Sequence, residues 1–166
     1  NIRETYARLN AMTLAYKTVG STLNNNASLL SDIVSALDWL NSNNWYSSSI
    51  TVPTGAQTVA NNWYDWEIGV PLVLNNIAVL LYDNLTSTQL NNYMNAIDHF
   101  VSDCSIGSSS VGTGVGKATT GANLAWKCSA QILRGVIVKN SSVIADGQSK
   151  ITSLFDNITS TSATSD

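Results

Sequence analysis

Two short segments hold the residues of this chain with the most chemistry to offer. The first is Asn61-Asn62-Trp63-Tyr64-Asp65-Trp66-Glu67-Ile68-Gly69-Val70-Pro71, and the second is Thr120-Gly121-Ala122-Asn123. Trp63 and Tyr64 are adjacent rings at the junction of a polar loop and an apolar-periodic segment. Exposed rings at such a junction offer π faces to the C–H faces of a pyranose, and the amide of Asn62 beside them can bond its hydroxyls. The same rings could instead be core, which is the expectation for Trp66 and Ile68. Asn123 opens a further predicted helix. Its amide can donate to a carboxylate without adding a charge, where the helix N-terminus already favours an anion. On the residues alone, the ordinary role of an Asn there is an N-cap.

The elements that must position these groups are helices, because apolar residues recur at helical spacing nearly throughout. Tyr6, Leu9, Ala11, Leu14 and Tyr16 mark a first helix, ending near Gly20. Ser28 or Ser31 can cap a second, with Leu30, Ile33, Val34, Leu37 and Leu40 on one face. Residues 41–62 read as a long loop. A third helix is expected from about Asp65 to Tyr82, with Pro71 in its first turns, where a missing N–H costs least. Asp65 and Glu67 would stabilise that helix end as first-turn carboxylates. Ser87 can cap a fourth helix carrying Leu90, Tyr93, Met94, Ile97 and Phe100. Residues 102–120 hold four of the ten glycines and read as a second long loop. A fifth helix is expected from Ala122 to Val138. A sixth is expected from Ser142 to Ile158, with Val143, Ile144, Ile151, Leu154 and Phe155 inward and a frayed tail beyond. No segment shows a convincing strand period. The expectation is one all-α domain over residues 1–166, built of successive helical hairpins. Alternate connections of such hairpins share an end, so both long loops lie together, and Trp63, Tyr64 and Asn123 come close.

Composition bounds the function classes. Hydrophobic residues make up 44% of the 166 and charged residues only 11%, less than half the usual share. Asn, Ser and Thr fill the surface instead. The net charge of -3 leaves no basic stripe for nucleic acid, and no apolar run approaches membrane-spanning length. One His and two Cys make a metal site a poor expectation, and no cofactor motif is present. Cys104 and Cys128 fit one disulfide in an oxidising compartment, or two buried thiols. The disulfide would close a loop of about 25 residues and contribute roughly 3.5 kcal/mol on the chain-entropy model. Four sequons, at Asn26, Asn84, Asn140 and Asn157, agree with a secreted glycoprotein, although an Asn-rich chain generates them by chance. Asn1 is not an initiator Met, which suggests processing.

The run from Asn61 to Val101, with Asn-Trp-Tyr-Asp-Trp-Glu-Ile-Gly-Val-Pro and then Ala-Ile-Asp-His-Phe-Val, resembles the N-terminal α-helical domain of polysaccharide lyase family 8. Thr-Gly-Ala-Asn at 120–123, Trp126-Lys127 and Leu133-Arg134-Gly135 extend the resemblance. That family includes hyaluronate, chondroitin AC and xanthan lyases. The resemblance implies an incomplete α/α toroid and cleavage of uronic-acid polysaccharides by β-elimination, with an acidic polysaccharide as partner. On it, Asn123 is the carboxylate-neutralising asparagine, and Asn62, Trp63 and Tyr64 bind substrate. Many relatives have two tryptophans at the aromatic patch, so Tyr64 is a departure. The family's proton-transfer His and Tyr follow the asparagine, whereas neither residue type follows Asn123 here. His99, the only histidine, falls in a scaffold motif and is not expected to be the base. The expectation is therefore a fragment, one chain of a nicked enzyme, or a truncated relative that is inactive alone. A non-catalytic storage-like or carbohydrate-binding protein is the alternative; about one residue in nine is Asn. Helix faces left uncovered in a partial toroid would favour self-association, or association with a second chain of the same precursor.

Overall fold

The computed structural model describes residues 1–50, 63–107 and 116–162, with side chains through Phe155. Six α-helices follow one another in this part of the chain: α1 (Ile2–Lys17), α2 (Ala27–Ser42), α3 (Val70–Leu80), α4 (Ser87–Phe100), α5 (Gly121–Ile137) and α6 (Ser141–Ser162). The described residues contain no strand, only one isolated antiparallel bridge between Ile106 and Ala118.

Caps set the helix starts, and they differ from the expected ones by a residue or more. Asn26, not Ser28 or Ser31, caps α2 by accepting from the Leu29 N–H at 2.9 Å. Thr86, not Ser87, caps α4 and forms a capping box with Gln89. Asn140 caps α6 through the amides of Ser142 and Val143. That helix runs on to Ser162, past the point where fraying was expected. The sequons at Asn26 and Asn140 thus have a folding reason to carry Asn, because each side-chain oxygen closes a helix. Asn84 accepts from Lys17 Nζ at 2.7 Å. Asn157 lies on α6, beyond the described side chains.

The apolar stripes converge on one core. Ile2, Tyr6, Leu9 and Tyr16 of α1 meet Ile33, Leu37 and Leu40 of α2, and Leu74 and Ile77 of α3. Ala11 and Leu14 lie off the α1 stripe, and Leu14 is exposed. Phe155, expected inward, is 60% exposed. Beneath the third helical segment the core is aromatic. Tyr46 stacks on Trp66 with centroids 5.9 Å apart and packs on Phe100 at 4.8 Å and Tyr6 at 5.9 Å. Tyr46 sits in what reads from sequence as loop, yet it is fully buried.

The α5–α6 hairpin packs very closely. A β-carbon at Gly135 would lie 2.9 Å from Ile144 Cγ1, and one at Gly147 would lie 2.7 Å from Ile132 Cγ1, so each glycine lets a helix approach. The Cys104–Cys128 disulfide ties the start of the second long loop to α5, with Cα atoms 5.0 Å apart. Around it Gln131 accepts from the Cys104 N–H at 2.8 Å and donates to Asp146 at 2.6 Å. Lys150 bridges Asp146 at 2.6 Å and Asp103 at 2.9 Å.

Candidate functional site

The chain enters the third helical segment at Trp63, two residues before the expected start, and not as a regular α-helix. Asp65–Gly69 is a π-helical turn, with the Val70 N–H reaching the Asp65 carbonyl five residues back. Pro71 explains the departure. In an α-register its ring would press on the carbonyl of Glu67, and in a π-register it has no N–H to give Trp66. The wider turn relieves the first problem. The Tyr46 hydroxyl solves the second by donating to the Trp66 carbonyl at 2.9 Å. Pro71 thus lies inside a helical run, with helical backbone on both sides, and not at a free first turn.

The π-helical turn buries the two carboxylates that were expected to decorate a helix end. Glu67 is 2% exposed, and its Oε2 lies 2.6 Å from Lys127 Nζ, itself fully buried on α5. The same ammonium donates to the Ile106 carbonyl at 2.6 Å. Lys127 therefore joins the π-helical turn, α5 and the root of the 102–120 connection. Asp65, also buried, pairs with half-exposed Arg3 at 3.5 Å. Arg3 also lies over the Tyr64 ring at 5.8 Å and packs against Gly69.

Asn123 is the third residue of α5. Gly121 ahead of it has φ +58°, a left-handed conformation that glycine adopts without strain. The N-cap is Thr120, so Asn123 is not the cap that residue reading alone would make it. Thr120 makes no side-chain capping bond, whereas the starts of α1, α2, α4 and α6 are each closed by a side-chain oxygen. The first-turn N–H groups of α5 and the Asn123 amide thus point a positive helix end toward one place.

That place is a cleft of about 170 Å³ lined by Trp63, Glu67, Asn123, Gly107 and the strip Lys117–Thr120. The structure therefore brings together Trp63 and Asn123, sixty positions apart, at the end of the array where hairpin alternation puts them. Tyr64 meets Trp63 edge-to-face at 6.2 Å. Asn62 lies outside the described residues. His99 does not line the cleft; its Nε2 lies 2.8 Å from the Ile50 carbonyl. Glu67 would repel an anionic ligand were it not paired with Lys127, and the pair leaves Lys117 to give the cleft mouth its positive charge.

Sequence reasoning gave no role to three residues here. Lys117 lines the cleft and is exposed. Lys127 lies in the buried stripe Leu124, Cys128, Gln131, and a charge in a buried stripe signals a buried partner. Trp126 is 43% exposed and meets Tyr64 edge-to-face at 6.0 Å.

The profile of the polysaccharide lyase family 8 N-terminal alpha-helical domain matches residues 1–162. The chain belongs to polysaccharide lyase family 8. It is 38% identical over 145 residues to a xanthan lyase of Bacillus sp. (strain GL1), covering 87% of this chain and 13% of that protein. It is 27% identical over 156 residues to a hyaluronate lyase of Thermasporomyces composti, covering 87% of this chain and 16% of that one. Among solved structures, a Paenibacillus xanthan lyase superposes with a TM-score of 0.77 at 36% identity, over 92% of this chain and 13% of that one. Streptomyces coelicolor A3 chondroitin AC lyase, in complex with chondroitin sulphate, superposes with a TM-score of 0.78 at 33% identity, over 93% and 19%. The described part of this family 8 domain is accordingly part of an α/α toroid, and the chain spans under a fifth of the length of these relatives.

Proposed function

We propose that this chain supplies the sugar-gripping and carboxylate-neutralising part of a secreted lyase that acts on uronic-acid polysaccharides. The observation that carries this reading is the shared cleft of Trp63 and Asn123 at an uncapped helix start. At about 170 Å³ the cleft is smaller than a typical ligand pocket. It suits one carboxylate-bearing edge of a sugar, with the ring lying outward on Trp63 and Tyr64. Support for the substrate class comes from the relatives, whose names specify xanthan, hyaluronate and chondroitin AC. The disulfide fits an oxidising compartment.

In this reading the Asn123 amide and the α5 N–H groups hold the uronate carboxylate. Charge moves into that carboxylate as the C5 proton leaves, and preorganised donors stabilise it there. The C4–O bond then breaks, a C4–C5 double bond forms and the departing oxygen takes a proton. Asn donates there without adding a charge and without a readily transferred proton. Lys117 adds attraction for the anion at the cleft mouth. The groups that move the protons are supplied from outside these 166 residues, so binding and elimination are separable.

Calorimetric titration with oligosaccharides of xanthan, chondroitin and hyaluronan tests the reading. Binding to at least one is expected, weakened at least tenfold by Asn123→Ala or Trp63→Ala. Lys117→Gln should lower affinity less and flatten its salt dependence. Ultraviolet absorbance should show no unsaturated product from this chain alone. Equal affinity in wild type and both alanine variants would overturn the site. Product formation would overturn the division of labour.

A further inference from the structure

Trp126 is the surface feature next to the cleft that the proposed site does not use. It lies one helical turn beyond Asn123 on α5, so the two side chains are neighbours on one face. Three rings run in sequence there. Trp63 lines the cleft, Tyr64 meets it at 6.2 Å with planes at 73°, and Trp126 meets Tyr64 at 6.0 Å with planes at 89°. Each step is of the order of one pyranose ring. The two tryptophans at the ends are 37% and 43% exposed, while Tyr64 between them is half-buried and braced by Arg3. An exposed Trp on a surface helix is unremarkable alone. A Trp that meets edge-on a ring itself packed on Trp63 of the cleft is restrained in orientation, and less side-chain freedom remains to be lost on binding.

Resting on the substrate class proposed above, we infer that Trp126 forms a second sugar-binding position, outside the cleft, for another residue of the same polymer chain. The occupant is a pyranose that presents a C–H face, neutral or acidic, with no carboxylate needed. Its contribution is stacking on an aromatic face, so it is insensitive to salt, in contrast to the Lys117 contact. Trp126 acts on how much of the polymer is gripped and touches none of the reacting atoms.

The test is affinity against chain length. Hyaluronan di-, tetra-, hexa- and octasaccharides are titrated into wild type, Trp126→Ala, Trp126→Phe and Trp63→Ala. Wild-type affinity should rise with length. Trp126→Ala should leave the disaccharide unchanged and weaken the octasaccharide by about tenfold. Trp126→Phe should restore much of that loss, and Trp63→Ala should weaken every length. If Trp63→Ala weakens every length and Trp126→Ala changes none, the second position is wrong and the cleft stands. If Trp126→Ala weakens the disaccharide as much as the octasaccharide, Trp126 belongs to the cleft and the inference also fails. If wild type binds none of the four while longer probes of xanthan and chondroitin are also rejected, the functional reading fails and the inference with it.

Discussion

At the α5–α6 hairpin, Gly135 and Gly147 let two helices close on Ile144 and Ile132, and a disulfide and an ion triad lock the edge. At the π-helical turn earlier in the sequence, the chain does nearly the opposite. It widens a helix, buries Asp65 and Glu67, and leaves Trp63 just ahead of the turn partly exposed. The Trp66 indole N–H there is buried without an acceptor among the described residues. The first region is what packing alone would select. The second carries costs that packing alone would remove, and it is the region that forms the cleft. Rule-breaking local structure gathered at one end of a helical array is the pattern expected where shape has been given over to a ligand.

The largest test of that contrast is Lys127→Met. It strips the buried cation from Glu67 and should destabilise the fold by about 3–5 kcal/mol in urea denaturation. Adding Glu67→Gln should recover a good part of that loss, because a buried pair is far less costly to replace than to halve. If the double variant is no more stable than Lys127→Met, the pair is not the tie between the π-helical turn and α5. The hairpin's counterpart is Cys104→Ala with Cys128→Ala. Chain entropy sets its cost at about 3.5 kcal/mol, with the far-ultraviolet helix signal retained. A loss near zero would mean that Gln131 and Lys150 already hold the loop root.

Packing and strain separate further at smaller scale. Gly135→Ala places a β-carbon 3.1 Å from the Ile144 backbone nitrogen, which cannot swing aside as a side chain can. A cost of about 1–3 kcal/mol is expected by thermal denaturation. Tyr46→Phe deletes one hydroxyl and leaves the Trp66 carbonyl without the donor that replaces the missing Pro71 N–H. About 1–2 kcal/mol is expected. The decisive readout is exchange of the amide hydrogens from Ile68 to Leu72, which should accelerate relative to α6. Uniform acceleration would mean that Tyr46 serves the whole core and not the π-helical turn.

The two regions also differ in how far they could be read from residue types. The hairpins follow from apolar spacing, and the nearness of Trp63 to Asn123 follows from hairpin alternation. Those signals are periodic and survive without tertiary detail. The π-helical turn does not show in periodicity, because five residues are too few to distinguish registers. Its trace was Pro71, five positions after Trp66, read instead as a helix start. Glu67 read as a helix-end carboxylate because position rules are local, whereas its partner Lys127 is sixty positions away. Trp126 stood in the motif run without a role, since only the fold places its ring against Tyr64.

The smallest expected effect lies at the outer edge of the hairpin and sharpens the comparison through pH. Burial alone would raise the Asp103 carboxyl, but bonds from Ser105 and Lys150 outweigh it and hold the group below its usual 3.8. Bonds from Lys150 and Gln131 hold Asp146 below 3.8 as well. For Lys150, burial works downward, and its two carboxylate partners still raise it above 10.5. The carboxylates therefore add stability that is fully present above about pH 4 and is lost as pH falls through their lowered folded-state values. The lysine adds stability that is fully present below about pH 10.5 and is lost as pH rises through its raised value. All three groups are partly solvated, so the effect is of the order of 0.5 kcal/mol. Melting curves of wild type and Lys150→Met should run parallel between those limits and converge below about pH 4. Curves still parallel at pH 2 would show that Lys150 acts through its aliphatic stem. The Lys150 edge of the hairpin would then owe its stability to packing and not to charge, in contrast to the buried Lys127–Glu67 pair beside the cleft.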